Sequence, residues 1–411
     1  MGKLGELKQK AILTLVILTL ARLGIFIPVL GIDHNAFYTS ISKNNFVNFL
    51  NIFSGGGFST VGIFALGIVP YINASLVMQL LIKLLPQLET IQKEEGERGR
   101  QKITQFTRYL TLGWAILQSG AVAFWVKPYV FNWNFYFFID IVLTLTSGAM
   151  IILWFSELIT EKGLGNGASL LIFQNIVSSV PKTLRETQIN IYHFHTISTL
   201  SFILITFILM LIMTILIQEG TRNIPIISAR QLNKGISTST KNYLPLKLNQ
   251  GGVMPLVFAS AIMALPNYIT GTVQGKSFIN FIASLLINSP VYLLLYFILI
   301  VLFSQFYCSL ILNPDDVSEN LKKMGVSIQE IRPGKMTSAY LKRILNRLTF
   351  LGSIFLFLIA LAPSIIETIS HLQLSKSFGA TSLIILVGVA IDTGKQIQTY
   401  IISSEYNNIT Q

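Results

Sequence analysis

The sequence predicts an all-α polytopic membrane protein: ten transmembrane helices in two inverted five-helix halves, with a re-entrant half-helix after the first span. Three observations predict it. Of 411 residues, 52% are hydrophobic and 12% charged, with a mean hydropathy of +0.62, whereas soluble domains carry about 25% charge. Apolar runs bounded by charge or turn residues recur ten times, and about 20 apolar residues suffice to cross the hydrocarbon core. The basic residues, finally, gather on alternate connections.

The first span lies at 11–30. Its apolar run is too long for a signal-peptide core and no small-residue cleavage site follows, so it reads as retained. No Arg/Ser-rich transit segment precedes it, which points to a bacterial protein or one made inside an organelle. Asn44 to Ile82 then form 39 consecutive uncharged positions. The stretch is interrupted by Ser54-Gly55-Gly56-Gly57 and carries Asn48, Asn51, Ser59, Asn73, Ser75 and Gln79. Backbone broken at membrane depth is tolerated only where protein surrounds it or water solvates it. The stretch therefore predicts a half-helix near 46–53, a glycine bend, and a second span at 63–82, around a cavity. Further spans fall near 109–126, 136–156, 166–181, 198–218, 252–270, 290–312, 348–366 and 378–394. Pro255, after Met254 at the start of the seventh, lacks a backbone donor and predicts a kink.

The connections alternate in charge. The N-terminus, 83–108, 157–165, 219–251, 313–347 and the C-terminal tail hold 23 of the 30 Lys and Arg. The opposite side holds six, Lys43, Lys127, Lys182, Arg185, Lys276 and Lys376, and Arg22 lies inside the first span. The positive-inside rule then puts both termini on the cytoplasmic side or its organellar equivalent. Ten spans divide into five and five, 1–187 and 188–411, and an odd number per half inverts the second. Inverted halves place a functional site at their interface near the midplane. The long basic connections 83–108, 219–251 and 313–347 suit an acidic soluble partner, ribosomal RNA or an acidic motor face; their charge also serves topology.

Eight stretches, in order along the chain, carry a family resemblance. They are Arg22 to Pro28, Phe64 to Ile72, Gly96 to Arg100, Gly163 to Gly167, Tyr243 to Lys247, Ile331 to Lys335, Asn346 to Thr349 and Phe378 to Leu383. On them the chain resembles SecY, the pore subunit of the protein-conducting translocase. The resemblance implies an hourglass channel that opens sideways between spans two and three and spans seven and eight. It implies a plug at 46–62, centred on Phe53, Ser54, Gly55, Gly56 and Gly57. Ile68 and Ile72 are four apart, as are Ile172 and Ile176, so each pair shares a helix face. The resemblance places these four with Val257 and Ile385 in an aliphatic constriction, and a narrow apolar ring excludes ions by dewetting. Asn73, Ser75, Gln79, Gln118, Met254 and Pro255 fall at the implied lateral gate. Arg332 precedes Pro333-Gly334, which suit the centre of a type II turn, and with Lys335, Arg222 and Arg230 it is expected to dock a partner. The Arg222-Asn223 pair departs from the adjacent basic residues usual in the family.

Implied partners are a SecE-like clamp subunit, a SecA-type motor ATPase, the ribosome, a SecG-like third subunit, unfolded preprotein and membrane lipid. No cofactor is implied. An inverted-repeat secondary transporter is the rival reading, but it needs paired intramembrane charges, and the spans hold only Arg22, Asp140 and Asp392, each expected to snorkel. Gly275-Lys276-Ser277 lacks P-loop spacing from Gly271, and His34, His193, His195 and His371 all fall on the outer side, so no enzyme chemistry is expected. One cysteine, Cys308, excludes an intrachain disulfide. Richness in Ile, Asn, Phe and Lys favours a plastid-encoded thylakoid protein over a bacterial plasma-membrane one.

Overall fold

The computed structural model describes residues 2–34, 36–37, 55–186, 194–228, 242–260, 262–263, 290–329, 331–370 and 380–409. Helices dominate. The reason is the solvent: lipid offers no partner to a backbone N–H or C=O, so each spanning segment must satisfy its own. In order they are α1 (Gly2–Ile25), the single turn α2 (Gly57–Thr60), α3 (Val69–Leu84), α4 (Pro86–Glu94), α5 (Gly96–Val126), α6 (Phe135–Lys162), α7 (Gly167–Glu186) and α8 (Phe194–Glu219). There follow strands β1 (Thr221–Ser228) and β2 (Asn242–Lys247), helix α9 at 254–260, α10 (Pro290–Ile311), α11 (Pro314–Lys323), β3 (Val326–Ile328), α12 (Lys335–Ser370) and α13 (Ala380–Ile409). Among the described residues four helices are long and apolar enough to span by themselves: Gly96–Tyr129, Phe135–Lys162, Val291–Lys323 and Lys335–Pro363. The pair Val69–Leu84 and Pro86–Gln92, bent by 103°, makes a fifth if it is one span. The other expected spans coincide with α1, α7, α8, α13 and, for its described part, α9.

Several boundaries correct the sequence expectation. Helix α1 starts at Gly2, well before residue 11, and stops at Ile25, because Pro28 disfavours helical backbone just before it. Helix α3 starts at Val69, not residue 63; residues 62–68 form successive turns, with Ile63 bonded to Ile27. The connection 83–108 is helical, with a sharp corner at Leu85 set by Pro86. Pro255 sits in the first turn of α9, where backbone donors have no helical partner to lose, so it makes no kink. The expected half-helix at 46–53 lies outside the described residues, as does the seventh span beyond 263.

Contacts divide the chain into two units. The first comprises Met1–Ile189 with Ile385–Gln411. Its core joins Val29, Val61, Leu66, Ala115, Ala123 and Ile141, with Phe37 edge-on to Trp125 at 5.5 Å and to Tyr129 at 5.4 Å. Helices α5 and α6 approach closely through Ala115, Ser119, Thr146 and Ala149, and the two hydroxyls meet at 3.1 Å. Small residues and buried hydroxyls supply the attraction that greasy side chains cannot provide in lipid. An apolar groove of about 680 Å³ fills the angle of α3, α4 and α5, lined by Met78, Leu81, Leu88, Phe106, Tyr109 and Trp114.

The second unit contains Asn190–Leu372. Met210, Leu256, Ala259, Ile300, Leu356 and Leu383 form its spanning core. The connections 219–251 and 313–347, expected as separate loops, share one sheet of order β2-β1-β3. Strand β1 pairs antiparallel with both neighbours: Ile224 faces Leu244, and Ile226 faces Ile328. Leu248 N–H donates to Gly220 O at 2.8 Å. That bond sets the phase of the ladder, so Pro245, which has no N–H, turns its backbone to the open edge of β2. A proline there blunts an edge that would otherwise recruit strands. Ile224, Leu246 and Ile328 pack with Leu341, Ile344 and Leu345 of α12, which fixes the sheet to a spanning helix.

Candidate functional site

The uncharged stretch is anchored at the glycine bend. Gly55 and Gly56 take φ of +62° and +92°, and buried Val61 takes +43°, an unusual value for a β-branched residue. Residues 60–63 run beside 25–29. Val29 N–H donates to Val61 O at 3.0 Å, Ile63 N–H to Ile27 O at 3.0 Å, and Thr60 Oγ1 to Ile25 O at 3.3 Å. A methyl on Gly62 would lie 2.2 Å from Ile25 O, and one on Gly148 of α6 would lie 2.1 Å from Ile63 O. Backbone thus packs on backbone on both sides, and only glycine fits.

Arg22 was expected to snorkel. Instead it turns inward: Nη1 donates to Gly55 O at 2.5 Å, and the guanidinium lies 4.9 Å from the Phe26 ring. Among the described residues it forms no ion pair. A methyl on Gly55 would lie 2.6 Å from Asn175 Oδ1 and 2.8 Å from Arg22 Nη1. The bend is therefore held between α1 and α7. Asp140 and Asp392 are exposed. Of the expected plug residues, Phe53 and Ser54 lie outside the described residues.

The aliphatic set is distributed as follows. Ile68 precedes the first turn of α3, where Ile72 N–H donates to its carbonyl at 3.1 Å, so the two share a face. Ile172 and Ile176 sit one turn apart on α7. Ile68, Ile172, Ile176 and Ile385 are buried; Ile72 and Val257 are half-buried. Met254 and Pro255 open α9. On α3, Ser75 Oγ donates to Ile72 O at 2.9 Å. Asn73 and Gln79, with Gln118 on α5, make no side-chain hydrogen bond among the described residues.

Sequence reasoning missed how the Gly163–Gly167 turn is fixed. Leu164 N–H donates to Thr14 Oγ1 of α1 at 3.0 Å, and Gly165 N–H to Gln396 Oε1 of α13 at 2.9 Å. Gly165 has φ +85°, and a methyl on Gly167 would lie 2.0 Å from Ser156 O. The turn between α6 and α7 is therefore pinned to the middle of α1 and to the middle of α13. The available signal was the alternation of glycines in that motif. On the basic side Arg108 pairs with Glu157 at 2.7 Å. Arg332 is exposed at a turn where Gly334 takes φ +107°, while its carbonyl accepts from Thr337 Oγ1 at 2.9 Å. Lys335 begins α12, and Arg222 lies exposed on β1; Arg230 lies outside the described residues.

The sequence profile of SecY matches residues 62–394. The chain belongs to the SecY family. It is 62% identical over 411 residues, the whole of both chains, to the protein translocase subunit SecY of Pyropia yezoensis. To the same subunit of Guillardia theta it is 55% identical, over 100% of this chain and 98% of that one. The Synechocystis SecY is 49% identical over 100% of this chain and 95% of its own. Among solved structures, a protein-conducting channel superposes with a TM-score of 0.65 at 18% identity, covering 97% of this chain and 93% of the other. Sec61 from the canine ribosome-channel complex gives 0.61 at 19%, with the same coverage. At such identity the superpositions establish the fold of the SecY family, with its several apolar spans.

Proposed function

We propose that this chain is the central channel of a Sec translocase, a passive gated pore that moves unfolded preproteins across the membrane and releases apolar segments sideways into lipid. Full-length identity of 62% to a translocase SecY carries this reading. Ile68, Ile72, Ile172, Ile176, Val257 and Ile385 form its constriction, the glycine bend is the root of its plug, and Asn73, Ser75, Gln79, Gln118, Met254 and Pro255 lie along the lateral gate. The two halves, 1–187 and 188–411, are inverted relative to one another. Branched aliphatic side chains suit the constriction because they exclude water yet offer no ligand to an ion.

A pore with no energy source of its own needs a pushing partner. The exposed turn at Arg332 and Lys335, joined through the sheet to Arg222, supports docking of a SecA-type motor or a translating ribosome. A SecE-like clamp braces the halves, with a SecG-like subunit as a third component. The membrane is the thylakoid, with both termini on the stromal side; identities to Pyropia and Guillardia sequences support a plastid origin. The transporter reading is not favoured, since Asp140 and Asp392 face outward and Arg22 binds a backbone carbonyl. Depletion should leave secretory precursors uncleaved, and a stalled precursor should crosslink to Ile68, Ile72, Ile172 and Ile176. Normal export after depletion, or solute uptake by the purified protein in liposomes, would refute the proposal.

A further inference from the structure

Among the described residues the sole charge of the first span forms no ion pair and binds backbone instead. Arg22 Nη1 donates to the carbonyl of Gly55 at 2.5 Å, which belongs to a residue with no room for a side chain, pressed by Asn175 on one side and by Arg22 itself on the other. Gly55 sits at φ +62°, and six residues on, buried Val61 is held at φ +43°. Left-handed backbone at a β-branched residue persists only where surrounding bonds over-determine it. Here those bonds are to Val29, Ile27 and Ile25. The bend is therefore a strained element tied down at its root by backbone ladders and at its tip by one arginine.

We infer that the Arg22 guanidinium is the releasable latch of the closed channel, holding the bend through the Gly55 carbonyl; this rests on the reading of the bend as the root of the plug. The bond is made to backbone and not to a side chain, which fits the task. A polypeptide that displaces the bend presents carbonyls of the same kind whatever its sequence, so the arginine exchanges one acceptor for another and no buried cation is left bare. The planar fork favours arginine over lysine, since its several donors sit in fixed directions. A hydrogen bond from a charged donor shifts an equilibrium by roughly ten- to a hundredfold.

The test is the idle conductance, without precursor, of the complete reconstituted translocase in planar bilayers. Arg22→Met should raise the open probability roughly ten- to a hundredfold, with Arg22→Lys between it and the unmodified channel. Gly55→Ala keeps the arginine but crowds its acceptor, and should also leak. In a channel deleted of residues 46–57, which already leaks if the plug reading holds, Arg22→Met should add nothing. If the deletion leaks while Arg22→Met and Gly55→Ala stay silent, or if Arg22→Met adds to the deletion, the latch is overturned and the plug reading stands. If the deletion itself stays tight, the plug reading fails and takes the latch with it.

Discussion

Gly148→Ala and Gly113→Ala are the same chemical change in adjacent spanning helices, yet they should act in opposite directions. A methyl at position 148 would lie 2.1 Å from Ile63 O and 2.9 Å from its carbonyl carbon, whereas at position 113 nothing lies within 4 Å. The first overlap falls about 1.3 Å short of an ordinary contact at 3.4 Å, and the atom in the way is backbone. Ile63 cannot yield freely, because its N–H is bonded to Ile27 O. Helix propensity favours alanine by about 1 kcal/mol at both positions, so the difference between the variants isolates the overlap. Forced overpacking costs about 1–3 kcal/mol. In a unit of this size each kcal/mol moves Tm by about 2–4 °C, so Gly148→Ala should melt roughly 2–12 °C below Gly113→Ala. Thermal unfolding of the purified complex in one detergent reads this directly. Equal melting temperatures would refute the backbone-on-backbone account of how α6 holds the root of the bend.

Thr14→Val removes the hydroxyl that accepts from Leu164 N–H and leaves a buried amide unpaired; Tm should reflect a loss of about 1–3 kcal/mol, while Thr19→Val, exposed and bonded only within its own helix, should not. Asn313→Ala removes the cap of α11, where Asn313 Oδ1 accepts from Asp315 N–H at 3.2 Å, at a cost of about 0.5–2 kcal/mol. Hydrogen exchange should rise over Pro314–Lys323 without a change in the spans. Arg332→Glu should weaken binding of the motor or ribosome by about tenfold or more, with the difference shrinking at high salt. The turn should survive, since it uses the Arg332 carbonyl and not its side chain.

The spans were legible because lipid leaves the backbone few options: each of the ten apolar runs contains or overlaps a helix. Their ends were not, because water and neighbours decide them. Residues 2–10 stay helical ahead of the apolar run, and residues 61–63 give up helix for bonds to Ile27 and Val29. The sheet joining the two docking connections rests on a three-residue strand paired across about a hundred positions, a register that no local pattern announces. Arg22 was visible as a charge needing an acceptor, but its acceptor lies 33 residues away on a glycine whose position depends on tertiary packing. The isoleucine pairs were legible by spacing alone; their meaning came from the family.

In the proposed channel a greasy constriction seals the pore against salt while yielding to a chain. The most direct measurement is ion conductance of the reconstituted translocase carrying Ile68, Ile72, Ile172 and Ile176 all changed to Ser, read beside precursor import. Conductance should rise while import persists; wild-type conductance with wild-type import would rule out the aliphatic seal.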